Sequence, residues 1–243
     1  MSIPAGFLWV YADEVVAGPQ TGESELVDFT DERGAFMARG FYTPGSSIPG
    51  RVLSTERVKI GIEFFTAAFR RAAAARAPYR DAYESYRAVY GESDGLSGLI
   101  IDSYNLTSGA AVLVIDIHTP GLAAHRSVIL DAARAVFAPN HILVRTGGGL
   151  EGEKLEATRK WVGDEPSESS IREAGETYRV SFSDGHKSGF YLDQKIAKSA
   201  LAPFAKDARV LDLYAYVGGL SVPAIRAGAA SLMAVERSKP AVA

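Results

Sequence analysis

The segment RVLDLYAYVGGLSVPAIRAGAASLMAVE, residues 209–236, constrains this chain more than any other. Val210 to Tyr214 is an apolar run with the pattern of a buried strand. Gly218 and Gly219 follow, where a backbone without Cβ can turn tightly and approach a ligand. The next residues read as a helix, with Pro223 in or near its first turn, where a missing N–H does little harm. The free N–H groups of that helix would point at the glycine turn. Gly228 ends the helix, and SLMAVE supplies a second strand closing on Glu236. Strand, glycine turn, helix and strand form the opening unit of a nucleotide-cofactor fold. Glu236 stands 24 residues after Asp212 (236 − 212), near the distance at which an acid reaches a ribose hydroxyl. The G-x-G-x-x-G signature of a dinucleotide site is missing, so the residues alone leave adenosylmethionine and a dinucleotide both open. A plain βα loop with a solvated strand end is the functionless alternative.

Upstream lies DGHKSGFYLDQK, residues 184–195. Here Phe190, Tyr191 and Leu192 could wall an adenine or methionine pocket, with Asp193 and Gln194 hydrogen-bonding inside it. His186 and Lys187 sit beside a Ser-Gly pair. The competing reading is a loop entering a helix, with Asp193 as its cap.

Composition bounds the class. With 47% hydrophobic residues over 243 positions, the chain can bury a core and is not of the disordered type. The net charge of −3 excludes a simple polycation. The charge is uneven, however: residues 1–50 hold two Arg against seven acids, and residues 51–90 hold eight Lys or Arg against four. There is no cysteine, which excludes disulfides, thiolate zinc sites and a cysteine nucleophile within these residues. The N-terminus lacks a basic region, and its apolar run is too short for a signal peptide or membrane span. A cytoplasmic protein with no membrane partner is the expectation.

Along the chain, residues 7–60 read as short strands between turns, suggesting a small β-rich barrel. Ile62, Phe65, Ala68, Phe69, Ala72 and Ala73 recur at helical spacing, up to Pro78. AYESYRAVY is a second helical piece or the lead into a strand. Asp94-Gly95 signals a tight turn, AAVLVIDI (110–117) a strand, LAAHRSVILDAARAVF (122–137) an amphipathic helix and HILVRT (141–146) another strand. Residues 147–177 read as loop and short hairpin pieces, with Gly147-Gly148-Gly149 a flexible turn and not a phosphate loop. ETYRVSFSDG (176–185) reads as a strand. The predicted class is mixed α/β.

None of His118, His125, His141 and His186 has metal-ligand spacing, so no metal is expected. Arg70, Arg71, Arg76, Arg80 and Arg87 could track an RNA backbone or form a solvated helix face. The interleaved Tyr79, Tyr83, Tyr86 and Tyr90 fit helical core packing.

FLWVYADEVV, ARGFYTPGSSIPGRVLS, GESDGLSGLIIDSYN, SDGHKSGFYLDQK and VLDLYAYVGGLSVPAIRAGA, in that order, resemble the PUA-containing bacterial methyltransferases of cytosine C5 in large-subunit ribosomal RNA. The resemblance spans nearly the whole chain. It implies a PUA-like RNA-binding domain at 1–72, a central α/β domain at 73–180, and the first part of a Rossmann-like class I methyltransferase domain at 181–243. It implies S-adenosylmethionine as cofactor, bound by Lys187, Phe190, Tyr191, Asp193, Gln194, Asp212, Gly218 and Gly219, with Glu236 as the ribose acid. It implies large-subunit ribosomal RNA as partner, and often a homodimer. Lys195 stands where the family usually has Arg, Val217 where it has Thr and Leu220 where it has Phe. The family's Asp-Pro-Pro motif and nucleophilic cysteine are not among these residues, and neither are the first residues of the PUA barrel. The expectation is therefore a C-terminally truncated enzyme, inactive alone, whose catalytic cysteine lies beyond the chain end. The alternatives are a non-catalytic RNA-binding protein derived from such an enzyme, and a dinucleotide-dependent oxidoreductase suggested by the βαβ unit alone.

Overall fold

The structure is a computed structural model, and it describes residues 6–82, 84–182 and 188–242. The chain divides into two compact units. The first comprises residues 1–79, 88–103 and 111–165, and the second 80–87, 104–110 and 166–243.

In the first unit, β1 (Trp9–Val10), β2 (Glu25–Thr30), β3 (Phe36–Tyr42) and β4 (Gly50–Ser54) form an antiparallel sheet in the order β1-β4-β3-β2. Alternation along β2 turns Leu26, Asp28 and Thr30 to one face and Val27 and Phe29 to the other. Val10, Ala38 and Val52 form the small core, with Leu8, Val15 and Phe29 packed on it. Among the described residues the two-residue β1 pairs with β4 alone, so this part of the β-rich start is an open sheet with β1 and β2 as edges. Helix α1 (Ile62–Ala75) buries Phe65, Ala68, Phe69 and Ala72, the stripe that the helical spacing predicts. It packs against α4 (Arg126–Phe137), with the Phe69 and Phe137 rings 5.9 Å apart.

After α2 (Ala77–Ala82), AYESYRAVY resolves into β5 (Tyr86–Tyr90). Tyr86 and Tyr90 therefore lie on a strand, and Tyr90 is 51% exposed, against the expectation of helical core packing. Tyr83 lies outside the described residues. β5, β6 (Leu99–Asn105), β7 (Ala111–Ile117), β8 (His141–Thr146) and β9 (Thr158–Val162) form a five-stranded sheet in chain order. β7 and β8 are parallel, as a strand pair joined through α3 (Pro120–Ala124) and α4 must be. β9 returns antiparallel on β8.

In the triple glycine, Gly147 is bonded on both sides, its N–H to the Ile117 carbonyl at 3.3 Å and its carbonyl to His118 Nδ1 at 2.7 Å. Glu153 lies just beyond the three glycines, its side chain buried against Arg51 at 3.3 Å. Ser46 Oγ donates to the oxygen facing Arg51 at 3.1 Å, and the other oxygen accepts the Leu150 N–H at 3.0 Å.

The second unit starts with the hairpin of β10 (Ser170–Glu173) and β11 (Glu176–Arg179), turned at Ala174-Gly175, both with positive φ. A 3-10 turn at Leu192–Gln194 leads into α5 (Lys195–Ala205). β12 (Arg209–Leu213), α6 (Ser221–Arg226) and β13 (Ser231–Val235) then make the parallel βαβ unit, and α7 (Lys239–Val242) follows. No described helix is long and apolar enough to cross a membrane.

Candidate functional site

The site is built where β12 runs out. Tyr214, Tyr216 and Gly218 all have positive φ, at 62°, 51° and 76°. Two of the three are tyrosines, which adopt this region only at a cost of order 1–3 kcal/mol each. The loop is held from several sides. Tyr216 donates its N–H to Glu236 Oε2 at 2.8 Å and its hydroxyl to the Gly189 carbonyl at 3.0 Å. The Ala215 N–H reaches the Val235 carbonyl at 3.1 Å.

Under this loop lies a cavity of about 270 Å³, just below the roughly 300–1,000 Å³ of typical ligand pockets. Phe190, Tyr191, Gln194, Asp212 and Gly219 line it, five of the residues expected from the sequence. The Tyr191 and Tyr216 rings meet edge to face at 5.3 Å, a preferred aromatic geometry. Asp212 is buried, and Ser221 at the start of α6 donates its hydroxyl to Oδ2 at 2.6 Å. Gly219 keeps space for its neighbour, since a Cβ there would stand 3.3 Å from Lys198 Cε.

The other predicted positions that the structure describes fall outside the lining. Asp193 sits in the 3-10 turn before α5, whose N-cap residue is Gln194. Gly218 shapes the turn from behind. Both Glu236 oxygens accept backbone N–H groups, from Tyr216, Arg237 and Ser238. Lys187 and His186 lie outside the described residues. Helix α6 has only six residues, and the Val222 N–H is already taken by the Gly218 carbonyl, so it does not present the row of free N–H groups anticipated.

The cavity contains one cation that the sequence reasoning missed. Lys198 lines the wall, buried, with Nζ 4.0 Å from the Phe190 ring centroid and 2.6 Å from Glu173 Oε1. Lys195 takes the other oxygen of Glu173. Burial pulls the Lys195 ammonium below its ordinary range. Glu173 counteracts this, and Lys198 adds to it. Two buried lysines thus share one carboxylate. The i, i+3 spacing of Lys195 and Lys198 on α5 was a usable signal for a shared partner. Nothing local pointed to Glu173.

This lining suits a molecule with an aromatic base and a zwitterionic tail. Phe190 and Tyr191 offer ring faces, Asp212 a carboxylate for an ammonium group, and Lys198 an ammonium for a carboxylate. S-adenosylmethionine has those parts. Among the described residues no cluster of His, Cys, Asp or Glu suits a metal ion. His118, His125 and His141 each bond a backbone carbonyl through Nδ1 instead.

Comparison with known proteins gives the same two parts. Residues 2–55 match a family model described as a PUA-like domain. Residues 150–242 match one described as an S-adenosylmethionine-dependent methyltransferase, and S-adenosylmethionine is the cofactor of that type of domain. Ribosomal RNA large subunit methyltransferase I of Enterobacter sp. (strain 638) is 32% identical over 241 residues, covering 96% of this chain and 60% of the relative. An S-adenosylmethionine-dependent methyltransferase structure from Streptococcus mutans superposes with a TM-score of 0.80 at 19% identity, over 98% of this chain and 61% of that one. A methyltransferase solved in complex with SAH also gives 0.80 at 19% identity, over 96% of this chain and 59% of that one. The fold is thus mixed α/β, a PUA-like β-rich start with a Rossmann-like methyltransferase region. The chain spans about 60% of the length of these relatives.

Proposed function

We propose that this chain is the N-terminal part of an S-adenosylmethionine-dependent methyltransferase acting at C5 of a cytosine in large-subunit ribosomal RNA. The observation that carries the reading is the cavity under the β12–α6 loop, where Asp212 and Lys198 set opposite charges beside the Phe190 and Tyr191 rings. The similarity to relatives named for large-subunit ribosomal RNA supports the substrate. Residues 1–72 would hold RNA, 73–180 would form the central domain, and 181–243 would bind cofactor. Lys187, Asp193, Gly218 and Glu236 are proposed at the same pocket, as binding or loop-shaping residues. The protein would work in the cytoplasm, as a homodimer.

When bound, the cofactor supplies an electrophilic methyl group on a sulfonium. The chain's own share is to orient it. Asp212, fixed by Ser221, would accept from the methionine ammonium. Lys198, fixed by Glu173, would donate to the carboxylate. The aromatic rings would exclude water from the adenine. Covalent attack on a pyrimidine needs a nucleophile, and the 243 residues contain no cysteine, so these residues alone should not transfer methyl groups. The exposed apolar side chains of the β12–β13 pair, Leu211, Leu213, Met233 and Val235, support a sheet that needs further strands to cover it.

Calorimetry with S-adenosylhomocysteine tests the reading. Binding is expected, and Asp212→Asn should weaken it at least about tenfold, the equivalent of ~1.4 kcal/mol. Binding of NADH with none of S-adenosylhomocysteine would replace the reading with the oxidoreductase one. Methyl transfer to ribosomal RNA by the 243 residues alone would sink the claim that they are inactive.

A further inference from the structure

The first unit holds a cleft of its own, at the end of the parallel β7–β8 pair. The β7–β8 ladder finishes with Ile117 opposite Thr146. Just beyond it, His118 Nδ1 lies 2.7 Å from the Gly147 carbonyl. A carbonyl only accepts, so Nδ1 carries the proton. The cleft at this end measures about 390 Å³, and its polar lining is Asp116, His118, Arg145, Thr146, Thr158 and Arg159. Open α/β sheets place ligands at this end of their parallel strands.

The charges do not balance within the cleft. Arg145 clasps both oxygens of Asp116, and that pair is neutral. Arg159 stands directly opposite Arg145 on the β8–β9 ladder. Like charges placed so repel, and the fold gains nothing from the arrangement. Arg159 is exposed and has no ion-pair partner among the described residues. The surplus positive charge therefore faces a space the size of a nucleotide. A guanidinium fork matches a phosphate.

We propose that this cleft is a phosphate cradle for one nucleotide of a single-stranded RNA segment, gripped by Arg159 with the Arg145–Asp116 pair behind it. The proposal rests on the reading that the chain acts on RNA, and adds a contact outside the cofactor cavity.

The test is fluorescence anisotropy of a labelled twelve-residue oligouridylate with the full chain, across a salt series. Arg159→Ala and Arg159→Gln should each weaken binding by about threefold or more, and lower the salt slope by about 0.7, the value of one phosphate contact on a single strand. Arg134→Ala, on the exposed face of α4, should change neither. Unchanged melting temperatures would show that the variants fold, as expected for an exposed edge-strand side chain. If both Arg159 variants bind like the wild type with the same slope, the cleft is not an RNA contact, while RNA action stands. No binding by the wild type at low salt would overturn both. Uridine monophosphate binding that depends on Arg159, without oligomer binding, would make the occupant a free nucleotide and overturn the proposal as stated.

Discussion

Tyr178 shows how strongly one side chain can feel this site. It lies on β11 with its ring 5.0 Å from that of Phe190 and its hydroxyl buried. Burial pushes its pKa up from 10.0 to about 12, with Glu173 and Glu176 adding to the effect. The folded value lies above the unfolded one, so the stabilisation is complete below about pH 10 and is lost as pH rises through about 12. Urea midpoints measured across that window should fall in the wild type, and Tyr178→Phe should flatten the decline. An equal decline in the variant would move the effect to another group. Glu92 behaves in the opposite sense. Burial raises its carboxyl, but hydrogen bonds from Ser97, its own backbone N–H and Trp9, with the Arg51 charge, outweigh that and hold it below 4.5. Its share of stability is therefore present above pH 4.5 and lost as pH falls through the folded value.

Among the elements, the loop after β8 depends most on a single glycine. Gly152 has φ +86°, and a Cβ there would overlap the Gly45 carbonyl oxygen. Gly163 has a similar φ of +91° but open space around it. Gly163→Ala should cost only the backbone strain, about 1–3 kcal/mol. Gly152→Ala should cost more, because two backbones would have to separate. Denaturant titration of the two variants measures the difference, and equal losses would show that strain alone matters. The sequence made some elements easy to read and others not. The βαβ unit was legible because its apolar runs are short, glycine-bounded and of opposite period, and Val210 to Tyr214 nearly coincides with β12. The fate of AYESYRAVY was not, because Tyr79, Tyr83, Tyr86 and Tyr90 repeat at helical spacing, whereas β5 forms by pairing with β6. The bonding of Gly147 was equally hidden, since its partners Ile117 and His118 lie at the end of another strand. In the cavity under the β12–α6 loop, the aromatic and acidic residues were visible in their motifs. Lys198 was not, because its partner Glu173 lies on a different hairpin.

At the scale of the whole molecule, the chain passes between the two units five times, after residues 79, 87, 103, 110 and 165. The second unit is therefore not a terminal piece. It needs Tyr104, whose hydroxyl meets Ser188 Oγ at 2.6 Å and whose ring meets Phe182 at 5.2 Å. It also needs Leu106, bridged to Ile171. A fragment of residues 166–243 lacks both and should show no cooperative unfolding transition by circular dichroism, whereas the full chain should. A cooperative transition in the fragment would show that those contacts are dispensable. The interleaving also sets an order of events on the ribosome. Tyr104 and Leu106 emerge well before the hairpin and loop that cover them, and at about 5–20 residues per second they wait several seconds for those partners. During that interval two buried side chains of the finished protein are open to chaperones, so the pace of synthesis, and not only the final contacts, governs how much of the chain reaches its fold.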